Sequence, residues 1–127
     1  MSTNDLQSVA TEFLDIAFNQ GEPELAVSKY VGDQQYIQHN PQVADGAVAF
    51  IDFVHSFRKQ FPDLHLETKH VVSDNAMAVT HSHMTLTPGE PGLAVADFFR
   101  FVDGKMVEHW DVLQNVPETS ANSNGMF

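Results

Sequence analysis

The sequence predicts an α+β domain in which helices precede a sheet, and two observations carry that prediction. Apolar residues recur every three or four positions as far as Phe61, and from Leu64 onward the period changes to two. This segregated order suits a helical layer folded against a mainly antiparallel, curved sheet, not the strand-helix alternation that builds a parallel one.

Each element has its own signal. Leu6, Val9, Ala10, Phe13, Leu14, Ala17 and Phe18 form one helical stripe, with Ser2 or Thr3 as cap and Gly21 as stop. Glu22-Pro23-Glu24 places proline in a first helical turn, so a short second helix runs to about Tyr30 and ends near Gly32. Tyr36 to His39 alternates briefly, as a short strand would, and Asn40-Pro41 closes it. Asp45-Gly46 introduces a third helix carrying Ala47, Phe50, Ile51, Val54, Phe57 and Phe61, which must stop before Pro62. Four strands follow at 64–73, 76–87, 93–102 and 105–115, divided by turn-forming residues such as Asp103-Gly104, which suits an antiparallel meander. Residues 117–127, rich in Ser, Asn and Gly, lack a period and read as a loose C-terminal tail. With no repeat visible, 1–127 reads as a single domain.

Composition narrows the function classes. With 127 residues, 43% of them hydrophobic and ten of them Phe, the chain can bury one real core. It has no cysteine, which removes disulfides and thiolate chemistry. Six Lys+Arg against 17 Asp+Glu give a formal charge of -11, a field that repels phosphate backbones and anionic membranes and so argues against nucleic acid or membrane as a partner. No long uncharged apolar run or basic leader is visible, so a cytoplasmic protein is expected.

The chemistry-bearing residues lie on the strands. Side chains two apart share a sheet face, which pairs His81 with His83 and His109 with Asp111. Together with Asp97 on the adjoining strand these five groups can converge, and buried carboxylates and imidazoles cost free energy unless paired or hydrated. Hairpin register decides whether they do. A tight two-residue turn at Asp103-Gly104 pairs Val102 with Lys105 and sets Asp97 opposite Trp110, with His109 and Asp111 facing away. A type I turn at Val102 and Asp103 with Gly104 as a left-handed bulge pairs Phe101 with Lys105 and sets Asp97 opposite His109. The bulge is favoured, because glycine in third place is its usual chemistry.

The run Tyr36-Ile37-Gln38-His39-Asn40-Pro41, then Ala96-Asp97-Phe98-Phe99-Arg100-Phe101, then 103–111 ending in Glu108-His109-Trp110-Asp111, resembles the SnoaL-like branch of the NTF2-like superfamily. The resemblance spans roughly residues 5 to 116 in element order as well as motif. It implies a cone-shaped fold of three helices on a curved sheet, often paired as homodimers. It also implies polyketide cyclases that close rings by intramolecular aldol condensation with neither metal nor organic cofactor. On that likeness Asp97 takes the acid/base position and His83 the pocket histidine one strand earlier.

Aldol chemistry needs removal of a proton beside a carbonyl, a donor to the resulting oxyanion and a pocket that excludes water. The expected roles are proton transfer for Asp97, donor and relay for His83 and His109, and a place at the pocket mouth for His39. His81, Asp111, Phe99 and Leu113 are expected to bind the substrate, a small hydrophobic carbonyl compound. Burial among Phe99, Phe101 and Leu113, and the charge of Asp111, would raise the Asp97 pKa, whereas a protonated histidine would lower it. Two alternatives stand beside this reading. One is a non-catalytic module binding the same kind of ligand. The other is a metal-dependent enzyme using His-x-His with His109 or Asp97. Val72, Met84, Leu86, Phe98 and Val112 are expected to add apolar area to the outer sheet face, where a dimer would form.

Overall fold

The computed structural model describes residues 3–33 and 35–127. Helix α1, Thr3–Leu14, runs directly into a wider π-helical turn, Asp15–Asn19, which buries Ile16, Ala17 and Phe18. Of the two caps expected for α1, Ser2 lies outside the described residues and Thr3 is already helical. The wide turn is tied to the sheet by Asn19, whose amide donates to the Leu66 carbonyl (2.8 Å) and accepts from the Leu66 N–H (2.8 Å). Helix α2, Pro23–Tyr30, opens on its proline, and α3 spans Ala47–Gln60.

Among the described residues, five strands form one mixed sheet: β1 Ile37–Gln38, β2 His65–Ser73, β3 Met77–Thr85, β4 Leu93–Val102 and β5 Lys105–Asn115, in the order β1-β5-β4-β3-β2. The last four make the expected antiparallel meander. The short β1 adds to its edge in parallel, with Gln38 beside His109. Phe13 joins the layers, its ring 5.2 Å from Phe50 of α3 and 5.7 Å from Phe99 of β4.

The β4–β5 hairpin corrects the favoured register. Asp103 and Gly104 both have positive φ, 51° and 78°, and Val102 pairs with Lys105 across a tight two-residue turn. The polar groups nevertheless cluster, because a bulge lies further along β5. Phe101 pairs with Met106 and Arg100 with Glu108, leaving Val107 as the extra residue, and that slip by one returns His109 and Asp111 to the inner face. Asp97 stands opposite Asp111, and His109 opposite Phe99.

Two further expectations change. Met84 faces inward and is buried, and Leu86 packs against the core, so of the five outer-face candidates Val72 and Val112 are the large exposed ones. Residues 116–127 contain no helix or strand, yet the tail is not loose at its end: the Phe127 ring lies 4.6 Å from His83 and 5.3 Å from His81 on the outer face.

Candidate active site

Between the inner sheet face and α3 lies a hollow of about 540 Å³, part of it open to solvent. Its walls are apolar: Phe18, Val43, Phe50, Phe53, Phe57, Leu66, Met84, Val95 and Leu113. Its polar groups come from three neighbouring strands and the loop after the first: Gln38 and Asn40, Asp97, and His109 with Asp111. Among the described residues no Lys or Arg lines it.

Asp97 and His109 are both buried, and His109 Nε2 lies 2.8 Å from Asp97 Oδ1. The imidazole is held from two sides: Tyr36 stacks at 6.4 Å and Phe99 packs at 5.1 Å. Its other nitrogen, Nδ1, lies 2.7 Å from Gln38 Oε1. Asn40 Nδ2 donates to Asp111 Oδ2 at 2.8 Å. Burial raises the Asp111 pKa above the ordinary carboxylate value and the charge of Asp97 adds to this, while the Asn40 bond and His109 pull the other way. The Tyr36 hydroxyl, pushed well above its usual range by burial and then by both carboxylates, has no hydrogen-bond partner among the described residues, nor does Thr80 Oγ1 beside Asp97.

The cluster expected from the sequence is therefore half assembled. Asp97, His109 and Asp111 converge, with one ligand atom from each within 4.8 Å of the others, a spacing that a divalent ion could bridge. His81 and His83 do not join them. Along β3 the buried positions are Ala78, Thr80, Ser82 and Met84, so strand alternation turns both histidines to the outer face. There His83 Nε2 donates to the Pro91 carbonyl (2.7 Å), and His81 packs 5.7 Å from His70. This separates His-x-His from His109 and Asp97, the partners that the metal reading gave it. His39 also sits outside the hollow, donating to Glu108 Oε2 (2.7 Å) and stacked 4.7 Å from Trp110. Phe99 is wholly buried behind His109 and supports it without lining the hollow, whereas Leu113, 48% exposed, forms part of the wall.

Sequence reasoning missed Gln38 and Asn40. Alternation in the short strand was the available signal: if His39 faces one way, Gln38 and Asn40 face the other. Parallel pairing with β5 then delivers both to the His109 side.

The family model for SnoaL-like polyketide cyclase matches residues 8–120. Among solved structures, TsrD from Streptomyces laurentii is similar, with a TM-score of 0.74 and 21% identity over 89% of this chain and 90% of that one. A provisionally named polyketide cyclase from Acidithiobacillus ferrooxidans has a TM-score of 0.71 and 20% identity over 86% of this chain and 87% of its own. A provisionally named ketosteroid isomerase from Kribbella flavida has a TM-score of 0.70 and 20% identity over 94% of this chain and 85% of its own. At these identities the likeness establishes a shared fold. No curated protein matches the chain.

Proposed function

The chain belongs to the SnoaL-like polyketide cyclase family, and from that premise we propose that it carries out cofactor-independent acid/base chemistry on a small uncharged carbonyl compound, of the ring-closing aldol type. The observation that carries the reading is the buried Asp97–His109 pair at the polar end of an otherwise apolar hollow. Asp97 takes a proton from the carbon beside the carbonyl, and the electron pair moves to the oxygen as an enolate. The enolate carbon attacks a second carbonyl of the same molecule, forming the C–C bond, and the new alkoxide recovers the proton from Asp97. His109, bonded through Nε2 to Asp97 and through Nδ1 to Gln38, relays the proton and supplies positive charge beside the developing oxyanion. The apolar walls keep bulk water from quenching the enolate.

The two carboxylates and the lack of a lining cation among the described residues favour a neutral substrate over a free acid. A homodimer paired across the outer face belongs to the same proposal, supported by the exposed Val72 and Val112.

The test uses benzoylacetone as a probe in deuterated buffer, with exchange of its activated protons followed by NMR and its affinity by calorimetry. Asp97→Asn is expected to slow exchange by about 100-fold or more while affinity stays within about threefold. Equal loss of both, or tight binding without exchange in the unaltered protein, would favour a binding module instead. An unchanged exchange rate would end the assignment of Asp97.

A further inference from the structure

We propose that Gln38 is a positioning residue that holds neutral His109 in its Nδ1–H tautomer, so that His109 and Asp97 share a single proton between Nε2 and Oδ1. The inference deepens the acid/base reading and rests on it for its catalytic meaning. Its geometric part stands alone.

Two of the groups that face the Gln38 side-chain amide can only donate. Gln38 Oε1 lies 3.0 Å from the backbone N–H of Asn40 and 3.1 Å from that of His39, the latter shared with the His109 carbonyl at 3.0 Å. A backbone amide has no acceptor to offer, so the side-chain atom facing these two groups must be the carbonyl oxygen. A flipped amide would set its NH₂ against two N–H donors, so here the network settles an orientation that is otherwise a choice. The third neighbour of that oxygen is His109 Nδ1, at 2.7 Å. An acceptor already holding two donors can bond Nδ1 only if Nδ1 brings a proton.

The consequence appears at the other end of the ring. With Nδ1 protonated, a neutral imidazole turns a lone pair toward Asp97 Oδ1, 2.8 Å away. A carboxylate and a bare lone pair at that distance repel, so one proton belongs between them, as imidazolium with carboxylate or as imidazole with carboxylic acid. Both forms carry the same charge and the same proton count. The pair therefore stores one proton in a place where a substrate proton can be accepted or returned without a net charge entering the hollow. The opposite tautomer would let His109 donate permanently to a fixed carboxylate and leave no mobile proton. The register that sets this up is local: parallel pairing puts Gln38 beside His109, and the Gln38 N–H is anchored on Asp45 Oδ1 at 2.8 Å.

Imidazole ¹⁵N NMR of the full chain tests the inference without any ligand. In the unaltered protein, neutral His109 is expected to carry its proton on Nδ1. In Gln38→Leu the neutral ring is expected to move its proton to Nε2, and in Gln38→Glu, which keeps an acceptor oxygen at the same place, to hold it on Nδ1. A neutral His109 carrying its proton on Nε2 in the unaltered protein would overturn the proposal even if both variants failed to fold. An unchanged tautomer in folded Gln38→Leu would overturn it too. Benzoylacetone exchange separates the two readings: loss of exchange in Asp97→Asn with the wrong tautomer sinks the positioning role alone, whereas the right tautomer with no exchange sinks the acid/base reading and leaves the lock.

Discussion

Two histidine–carboxylate pairs lie on opposite faces of the same sheet, and their contacts are almost identical. His39 meets Glu108 at 2.7 Å on the outer face, and His109 meets Asp97 at 2.8 Å on the inner one. The outer side chains are 42% and 15% exposed, the inner ones 9% and 7%. The outer pair is partly open to solvent, with Arg100 at 2.7 Å from Glu108 and Trp110 stacked on the imidazole. The inner pair has Tyr36, Phe99 and a hollow. Distance alone does not make a site. In water the outer contact is screened and contributes little, whereas removal from water makes the inner proton's position consequential.

The sharpest break in the comparison comes from packing. Phe99, wholly buried between Phe13 and His109, should cost about 3–5 kcal/mol when truncated to alanine, measured by urea unfolding. Val112, 63% exposed on the next strand, should change stability by no more than about 0.5 kcal/mol on the same truncation. Comparable losses would mean that the outer face is also covered in solution, which is the signature of the dimer. Activity gives the second break. His109→Ala is expected to slow benzoylacetone exchange by about 100-fold, while His39→Ala and His83→Ala should each stay within about threefold, since neither lines the hollow. A large loss in His83→Ala would bring back the role the sequence suggested for it.

How far these differences were legible depends on which part of the chain speaks locally. Element order and type followed from periodicity, and β4 and β5 begin and end where the sequence placed them. Asp97, His109 and Asp111 were recognisable as a cluster, although for a partly mistaken reason. The turn has the geometry of the less favoured alternative, and the bulge at Val107 undoes its effect on which way the side chains face. A bulge inside a run of Lys105-Met106-Val107-Glu108 has no glycine to announce it, so it is set by the burial it permits. His81 and His83 were misplaced because Thr80 and Ser82 take the buried side of β3, against their polarity. Two small hydroxyl residues fit into the close packing under the sheet, where two imidazoles would be too large. Gln38 and Asn40 were missed because their partners lie about 70 positions away, across a parallel pairing that no local pattern reveals.

The finest test concerns two carboxylates three residues apart on β5. Burial holds the Asp111 pKa above its ordinary value of 3.8, while hydrogen bonds from His39 and then Arg100 hold that of Glu108 below its ordinary 4.5. A carboxyl with a raised folded-state pKa contributes its full stability below the unfolded value and loses it as pH rises through the folded one; a lowered carboxyl does the reverse. Asp111→Asn should therefore raise Tm at neutral pH, by roughly 1–3 °C, with the Asn40 contact kept by the amide oxygen. Glu108→Gln should lower Tm at neutral pH by a smaller amount. Both variants should converge on the unaltered protein in acid, Asp111→Asn once the pH is below the ordinary carboxylate value and Glu108→Gln only below the lowered value of Glu108. Added salt should shrink the Glu108 effect, because it rests on exposed charge pairs, and spare much of the Asp111 effect, whose leading cause is burial. Thermal melts across pH at two salt concentrations read both slopes at once. Shifts of the same sign would mean that the inner and outer faces of β5 do not differ in the way their surroundings require.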